Sequence, residues 1–485
     1  LDSAEKAYFS SPQGVNSFEP ATFHVKQNET DHLLSETFPE GEVYSVGGRV
    51  RDELLADLGR AKTPTADADY LVTGVPLSEI IARLSRHGRT ELVGASFGVV
   101  KFTRAGLTVD VALPRRERSI GPQHRDFDIE SAPDIPVEDD LGRRDFRINM
   151  MARRLSDKAL IDPFGGLEDL KNRRLDIAAP AAFDEDPLRI LRGAQFAARF
   201  GLQTTTGTLQ AMKAAAHLVP TIAPERVADE LTKLLTRAPA PSVGFELLRE
   251  TGALNYIMPE LLEGWGVEQN EFHRYTVYYH SLRSVDEAPR DLTVSLAALL
   301  HDIGKPRTKS GPHFYRHELV GERMAQDLLG RLRFSGDTIS RVSHLIRHHM
   351  FASDDALTDA AVRRFISRVG LDAIQPLFSL RKADVLASGL PERNPDSLDR
   401  FAGRVQAELA GPAALGLTQL AIDGAEVIKI MRDLQVVGSD FRGDARVGEA
   451  LRACLEAVLD DPTINNRDEL SRIVRARFES EAHRE

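Results

Sequence analysis

The 485-residue chain has a single cysteine, Cys454. One thiol excludes an intramolecular disulfide and a cysteine-based zinc cluster, and it fits a reducing cytoplasm. No apolar run approaches the roughly 20 residues that a membrane-spanning helix needs. The first residues lack the charged-then-apolar pattern of a secretory signal. Internal repeats and low-complexity tracts are absent, which sets aside solenoids and compositionally biased polymers. Excess positive charge is missing too: the net charge is -11. Taken alone, that argues against nucleic-acid binding, because phosphate contacts draw on lysine and arginine. Local basic tracks are nevertheless present at Arg143, Arg144 and Arg147, at Arg153 and Arg154, and at Lys171, Arg173 and Arg174. The remainder is ordinary globular composition, and the length suggests roughly two to four domains.

Patterning divides the chain into two regimes. Between residues 41 and 155, short β-rich runs alternate with amphipathic ones. Val43–Val46 reads as a strand entering Gly47-Gly48, Arg49–Leu58 as a helix, and Tyr70–Val72 as a strand. Pro76–His87 reads as a helix, and Phe97–Thr103 and Leu107–Leu113 as a hairpin turning at Ala105-Gly106. Pro114–Pro136 is polar and aperiodic, which predicts a mobile loop. Asp162–Gly166 reads as a turn. After Asp184 the periods are helical almost throughout, beginning with proline at the first helical position in Asp186-Pro187.

The chemistry-bearing residues of the first region are carboxylates. Asp67 and Asp69 are two residues apart on a strand, so their side chains share a face. Two carboxylates so placed can hold magnesium against a triphosphate, and Asp110 on the next apolar-alternating strand supplies a third for the attacking hydroxyl. Gly47 and Gly48 permit close backbone approach at a helix N-terminus, with Arg51 in the first turns as a phosphate cation. On the Glu185–Phe200 helix, Leu188, Leu191, Ala194 and Ala198 form an apolar stripe. Asp186, Arg189, Arg192, Gln195 and Arg199 recur at steps of three and four on another face. An aspartate acceptor with an arginine fork there can pair with a base edge; a solvated face of ion pairs is the plainer alternative.

Four motifs in order make a resemblance specific. They are Tyr44–Asp52 (YSVGGRVRD), Glu138–Ala152 (EDDLGRRDFRINMMA), Ile161–Leu170 (IDPFGGLEDL) and Glu185–Arg192 (EDPLRILR). Together they resemble the class II tRNA nucleotidyltransferases, the CCA-adding enzymes, whose opening motif bacterial poly(A) polymerases share. The resemblance implies that Asp67 and Asp69 bind magnesium and that Arg144 and Asp145 hold the nucleotide, Asp145 at the ribose. It also implies that Asp186 and Arg189 read the base of CTP or ATP, with Arg192 nearby. The chain departs from the family at Gln195, where arginine is usual, at the stretched Arg51–Asp67 spacing, and at Met150-Met151.

Histidines concentrate between His273 and His349, around His301-Asp302. With His280 before that pair and Asp384 after it, the order resembles an HD domain. The resemblance implies one or two divalent cations on His280, His301, Asp302 and Asp384, with His317 and His348 available for a second site. A metal-activated water could there hydrolyse a phosphoester such as a 2′,3′-cyclic phosphate, or the domain could serve only to bind tRNA.

The expected fold is α+β: a nucleotidyltransferase-type mixed α/β head followed by an all-α neck, body and tail that include an HD domain. The expected organisation begins with a partly disordered leader over 1–40, with a short helix near Asp31–Thr37, and the head over 41–155. A neck and RNA-binding helical region over 156–270, the HD-type domain over 271–395 and a helical tail over 396–485 complete it. The expected reaction is CCA addition to the tRNA acceptor end from CTP and ATP. Poly(A) polymerase, CC-only or A-only addition, a metal-dependent HD phosphohydrolase and a noncatalytic RNA-binding factor are the alternatives.

Overall fold

A computed structural model describes residues 20–60, 68–93, 98–119, 127–390 and 394–482. The chain divides into two units, Leu1–Thr221 and Ile222–Glu485. The first opens with α1 (Pro20–Thr37), β1 (Glu42–Val46), α2 (Gly48–Asp57), β2 (Asp69–Thr73) and α3 (Leu77–Leu84). It continues with β3 (Arg89–Val93), β4 (Val99–Arg104), β5 (Leu107–Ala112), β6 (Arg115–Ser119), β7 (Phe127–Ser131), α4 (Val137–Gly142), β8 (Ala152–Arg154) and β9 (Leu160–Ile161).

Seven of these strands form one sheet in the order β3-β4-β5-β2-β1-β8-β9. All its pairings are antiparallel except β2 with β5, which run parallel with Asp69 opposite Asp110. Ala105 and Gly106 turn β4 into β5 with φ of 50° and 77°, the positive dihedrals that a tight hairpin requires. Both faces of the sheet are covered. Leu34 and Phe38 of α1 and Ile80 and Leu84 of α3 pack with Tyr70, Val72, Phe102, Val109 and Val111. On the opposite face Val137 and Leu141 of α4 pack with Tyr44, Val46, Leu71, Ala112 and Met150. By the two-residue period, Asp69 and Asp110 project on this second face, at the end of the strands beside α4.

Two expectations change. The Pro114–Pro136 stretch contains a two-stranded hairpin, β6 with β7, rather than loop throughout. β6 is almost wholly charged, and β7 offers only one short alternation, Phe127 and Ile129 with Asp128 and Glu130, a weak signal within a polar stretch; Arg116 stands opposite Glu130, a favourable cross-strand pair. The short helix expected at Asp31–Thr37 is the end of the longer α1. It is bolted to the sheet by a buried cluster. Arg49 of α2 donates from Nη1 and Nη2 to Asp31 Oδ1 and Oδ2 at 2.8 and 2.6 Å, and from Nη1 to Tyr70 Oη at 2.7 Å. Tyr70 Oη donates to Asp31 Oδ1 at 2.6 Å.

Among its described residues the second unit is helical apart from a short hairpin at Lys309–Ser310 and His313–Phe314. Leu292–Leu300 is buried from Thr293 to Leu300, as befits a helix apolar on every side, and Asp291 caps it by accepting from the Val294 N–H at 3.0 Å. Around it lie Val277–Glu287, His317–Arg331, Gly336–His348 and Leu371–Ala387. Toward the C-terminus Gly424–Asp433, Ala445–Asp460 and Arg467–Ala482 enclose a core of their own, in which Cys454 is buried among Val427, Met431 and Val474. Among the described residues no helix is long and apolar enough to cross a membrane.

Removing one partner of a buried ion pair leaves the other charge uncompensated. Arg49→Ala should therefore destabilise the first unit by about 3–5 kcal/mol, read as a lower urea midpoint of its unfolding transition. A midpoint unchanged from wild type would show that the Asp31 anchor contributes nothing.

Candidate active site and candidate metal centre

A cavity of about 300 Å³ opens where β2 and β5 lie side by side. Asp69, Asp110, Arg115, Arg143 and Arg144 line it. Parallel pairing in register puts the two carboxylates on one face, in a cavity that three arginines also line: a donor set for a cation next to a cradle for phosphates. Asp67 lies outside the described residues.

Gly47 turns from β1 into α2 with φ of 67°. A Cβ there would sit 2.5 Å from Arg144 Nη1, so glycine is what allows that guanidinium to lie across the turn. The Gly47 N–H donates to Met151 O at 3.2 Å, so Gly47 takes part through shape rather than as a phosphate donor. Arg51 does not reach the cavity. It is 4% exposed, donates to Asn149 Oδ1 at 2.6 Å and to Asp52 Oδ1 at 2.8 Å, and lies 4.4 Å from the Phe200 ring centroid. Its place on α2 faces inward, which corrects the expected phosphate contact.

A second cavity, of about 290 Å³, is lined by Arg143, Arg144, Glu185 and Arg189 among others. Arg189 donates to Arg143 O at 2.8 Å and to Ala182 O at 3.1 Å, and Asp186 Oδ1 accepts from the Leu188 N–H at 3.2 Å. Asp145 accepts from Arg192 Nε at 2.7 Å and from Asn149 Nδ2 and the Phe146 N–H, each at 2.8 Å. Burial would raise its pKa; Arg192 and these hydrogen bonds outweigh that and lower it. Gln195 is 1% exposed, and its Nε2 has no hydrogen-bond partner among the described residues. It belongs to the packed side of the Leu188–Phe200 helix, not to the face shared with Arg189 and Arg192, which corrects that expectation. The helix packs on more than half its circumference, so steps of three and four did not separate the two faces. The basic tracks are largely neutralised at home: Arg147 pairs with Asp176, Arg153 with Glu53, Arg154 with Glu42 and Arg174 with Asp169.

In the second unit, His280, His301, Asp302 and Asp384 converge. His280 Nε2 lies 3.1 Å from Asp384 Oδ1 and 3.6 Å from Asp302 Oδ2; His301 Nε2 lies 3.2 Å from Asp302 Oδ2. The other carboxylate oxygen, Asp302 Oδ1, faces His317 Nε2 at 3.4 Å and His349 Nε2 at 3.8 Å. The second cluster thus takes His349 where the sequence suggested His348, which faces His344 instead. Each of the four rings has its Nδ1 against a backbone carbonyl: His280 with Ala387, His301 with Ala298, His317 with Phe314 and His349 with Ile346. Donation from Nδ1 leaves the Nε2 lone pairs pointing at one another, 3.2 Å apart for His280 and His301 and 3.3 Å for His317 and His349. Lone pairs and carboxylates facing one another need a proton or a cation between them. The donor chemistry and inward tautomers fit divalent cations, with Asp302 shared between two groups. The surrounding cavity, about 280 Å³, also presents Lys305, Arg381, Phe272, Tyr315 and Met350.

The folds of the two units and these two sites define a class: a nucleotidyltransferase-type head followed by an HD-type helical domain. Family profiles agree. "Poly A polymerase head domain" matches residues 43–176, "Probable RNA and SrmB-binding site of polymerase A" matches 201–264, and "HD domain" matches 273–401. The multifunctional CCA protein of Nitrosococcus oceani is 38% identical over 342 residues, covering 68% of this chain and 79% of that protein. That of Ralstonia nicotianae is 34% identical, over 82% of this chain and 87% of its own length. The chain belongs to the family of multifunctional CCA proteins. Its fold is also similar to the Bacillus stearothermophilus CCA-adding enzyme, solved with CTP, at a TM-score of 0.67 and 22% identity over 97% of this chain and 100% of that one.

Burial drives the pKa of His349 down to about 3, with His301 adding to the effect, while burial together with Lys305 and His280 brings His273 to about 3. A histidine held neutral this way contributes stability above its unfolded pKa of about 6.5 that is lost as pH falls toward the folded value. His301 shifts the opposite way: burial would lower its pKa, but Asp302 and Asp384 raise it. Metal-free protein should melt lower at pH 5 than at pH 7.5, with His349 accounting for about 2 kcal/mol of the loss. Substituting His349→Asn should flatten that dependence, and an equally steep profile in the variant would contradict the assignment.

Proposed function

We propose that this chain adds CCA to the 3′ end of tRNA, drawing CTP and ATP into the head and selecting the base with protein side chains. The observation that carries the reading is the in-register Asp69–Asp110 pair beside Arg143 and Arg144, in a chain of the multifunctional CCA protein family. The layout that goes with this reading is a head over 41–155, a neck and RNA-binding helical region over 156–270, an HD-type domain over 271–395 and a helical tail over 396–485.

In this reading Asp67 and Asp69 hold magnesium, the natural choice for an all-carboxylate donor set, which supplies charge neutralisation at the triphosphate. Asp110 accepts the proton of the tRNA 3′-hydroxyl as it attacks the α-phosphate in line, and pyrophosphate departs. Arg143 and Arg144 offset the negative charge of the phosphates. Asp186 and Arg189 pair with the base edge. Arg189 must then exchange its bonds to the Arg143 and Ala182 carbonyls for the nucleotide, so base entry and side-chain rearrangement are one step. Arg192 fixes Asp145 beside the site.

A second activity is favoured by the histidine centre. Four inward Nε2 atoms and two carboxylates would hold one or two divalent cations of the manganese, nickel, iron or magnesium kind. Such a centre activates water for phosphoester hydrolysis. Lys305 and Arg381 also line its cavity, but Lys305 donates to Asp302 Oδ2 at 2.6 Å and Arg381 to Asp384 Oδ2, so a phosphate would have to share them with these carboxylates.

A tRNA ending before CCA, offered CTP and ATP singly and together, should grow by three nucleotides and stop only with both. A long adenylate tail, or growth that ends at CC with both present, would overturn the reading. Separately, Asp302→Ala should lose the divalent cations held by the histidine centre, measured on metal-stripped full-length protein as a lower stoichiometry than wild type, and phosphodiester hydrolysis, while CCA addition persists. Hydrolysis surviving this change would place that activity elsewhere.

A further inference from the structure

Asp140 stands outside the proposed chemistry, yet both of its carboxylate oxygens are engaged. It is 0% exposed on α4. Its Oδ1 accepts from Arg143 Nε and Nη2 at 3.0 and 2.9 Å and from the Arg115 N–H at 3.2 Å. Its Oδ2 accepts from Arg144 Nε and Nη2 at 3.3 and 3.1 Å. One carboxylate thus grips two guanidinium groups by their inner edges and also holds the first residue of β6. Both arginines line the cavity of Asp69 and Asp110 and the cavity of Arg189, and the Arg143 carbonyl is the acceptor for Arg189.

We propose that Asp140 is a positioning residue for the nucleotide: it sets the direction of the Arg143 and Arg144 forks toward the phosphates and ties that setting to the root of the β6–β7 hairpin. The inference rests on the nucleotidyl-transfer reading above for the identity of the ligand. Its physical basis is that a guanidinium whose inner edge is fixed presents its remaining N–H groups in one orientation, which a free side chain or a lysine does not. With both inner edges held, a triphosphate meets two forks whose ordering has already been accomplished by folding. An Asp140 that served the fold alone would instead affect stability without regard to nucleotide.

The test uses full-length protein with CTP as the probe, measured by titration calorimetry and by the kinetics of CMP addition to tRNA lacking CCA. Asp140→Asn keeps the shape but removes the charge; it should weaken CTP binding and raise KM by about tenfold with a smaller change in kcat. In an Arg143→Gln, Arg144→Gln background the same change should have no further effect, because Asp140 acts through those two side chains. If Asp140→Asn does not fold, Arg144→Lys decides: charge is kept and the fork lost, so binding should weaken comparably. CTP affinity within about twofold of wild type in Arg144→Lys, or in folded Asp140→Asn, would overturn the proposal. So would an Asp140→Asn loss fully additive with the arginine changes. Wild-type protein that binds CTP but extends no tRNA would refute the function and leave the Asp140 comparison decisive; protein that binds no CTP would overturn both.

Discussion

The head depends on one parallel strand pairing. Every other neighbour pair in the seven-stranded sheet is antiparallel; β2 and β5 alone run together, and their register sets Asp69 against Asp110. A slip of one residue would turn Asp110 to the core face beside Val72 and Phe102 and turn Val109 out to the cavity. The pattern of β5 resists that slip, since Leu107, Val109 and Val111 are buried on the core side while Asp110 is half-buried at the cavity. The same packing that fixes the fold therefore fixes the spacing of the carboxylates.

Around that pairing, charge is arranged in closed sets. Arg49 is consumed by Asp31, Glu53 and Tyr70; Arg51 by Asp52 and Asn149; Arg192 by Asp145. Arg143 and Arg144 are held from behind by Asp140 but border two cavities, which distinguishes them from Arg49 and Arg51, buried in the frame. The histidine centre of the second unit follows a comparable logic. Backbone carbonyls fix each Nδ1, and the Nε2 atoms and carboxylates are left turned inward toward one another.

Much of this was legible in the chain. Strands β1, β2, β4 and β5 and helix α2 follow from alternation and turn chemistry, and Asp110, His280, His301, Asp302 and Asp384 follow from their order. What was not legible depends on tertiary packing. The hairpin β6–β7 has one charged strand and one with a single short alternation at Phe127 and Ile129, too little to stand out in a polar stretch. Gln195 shares a helical step with Arg192, yet the helix is buried past that step. Arg51 lies one turn from a glycine pair and faces the interior. Of the neighbours His348 and His349, only the second has its ring fixed by the Ile346 carbonyl and turned to Asp302. Asp140 did leave a signal, an acid of α4 three and four residues before two arginines just past the helix end, but that spacing usually marks a surface ion pair.

The central claim is that the Asp69–Asp110 face performs the chemistry while other residues bind the nucleotide. The most direct test is the single-turnover rate of CMP addition to tRNA lacking CCA by Asp110→Asn, with CTP affinity measured in parallel. The account predicts a rate lower by about 10²–10⁴-fold with affinity little changed. A rate within a few-fold of wild type would contradict it.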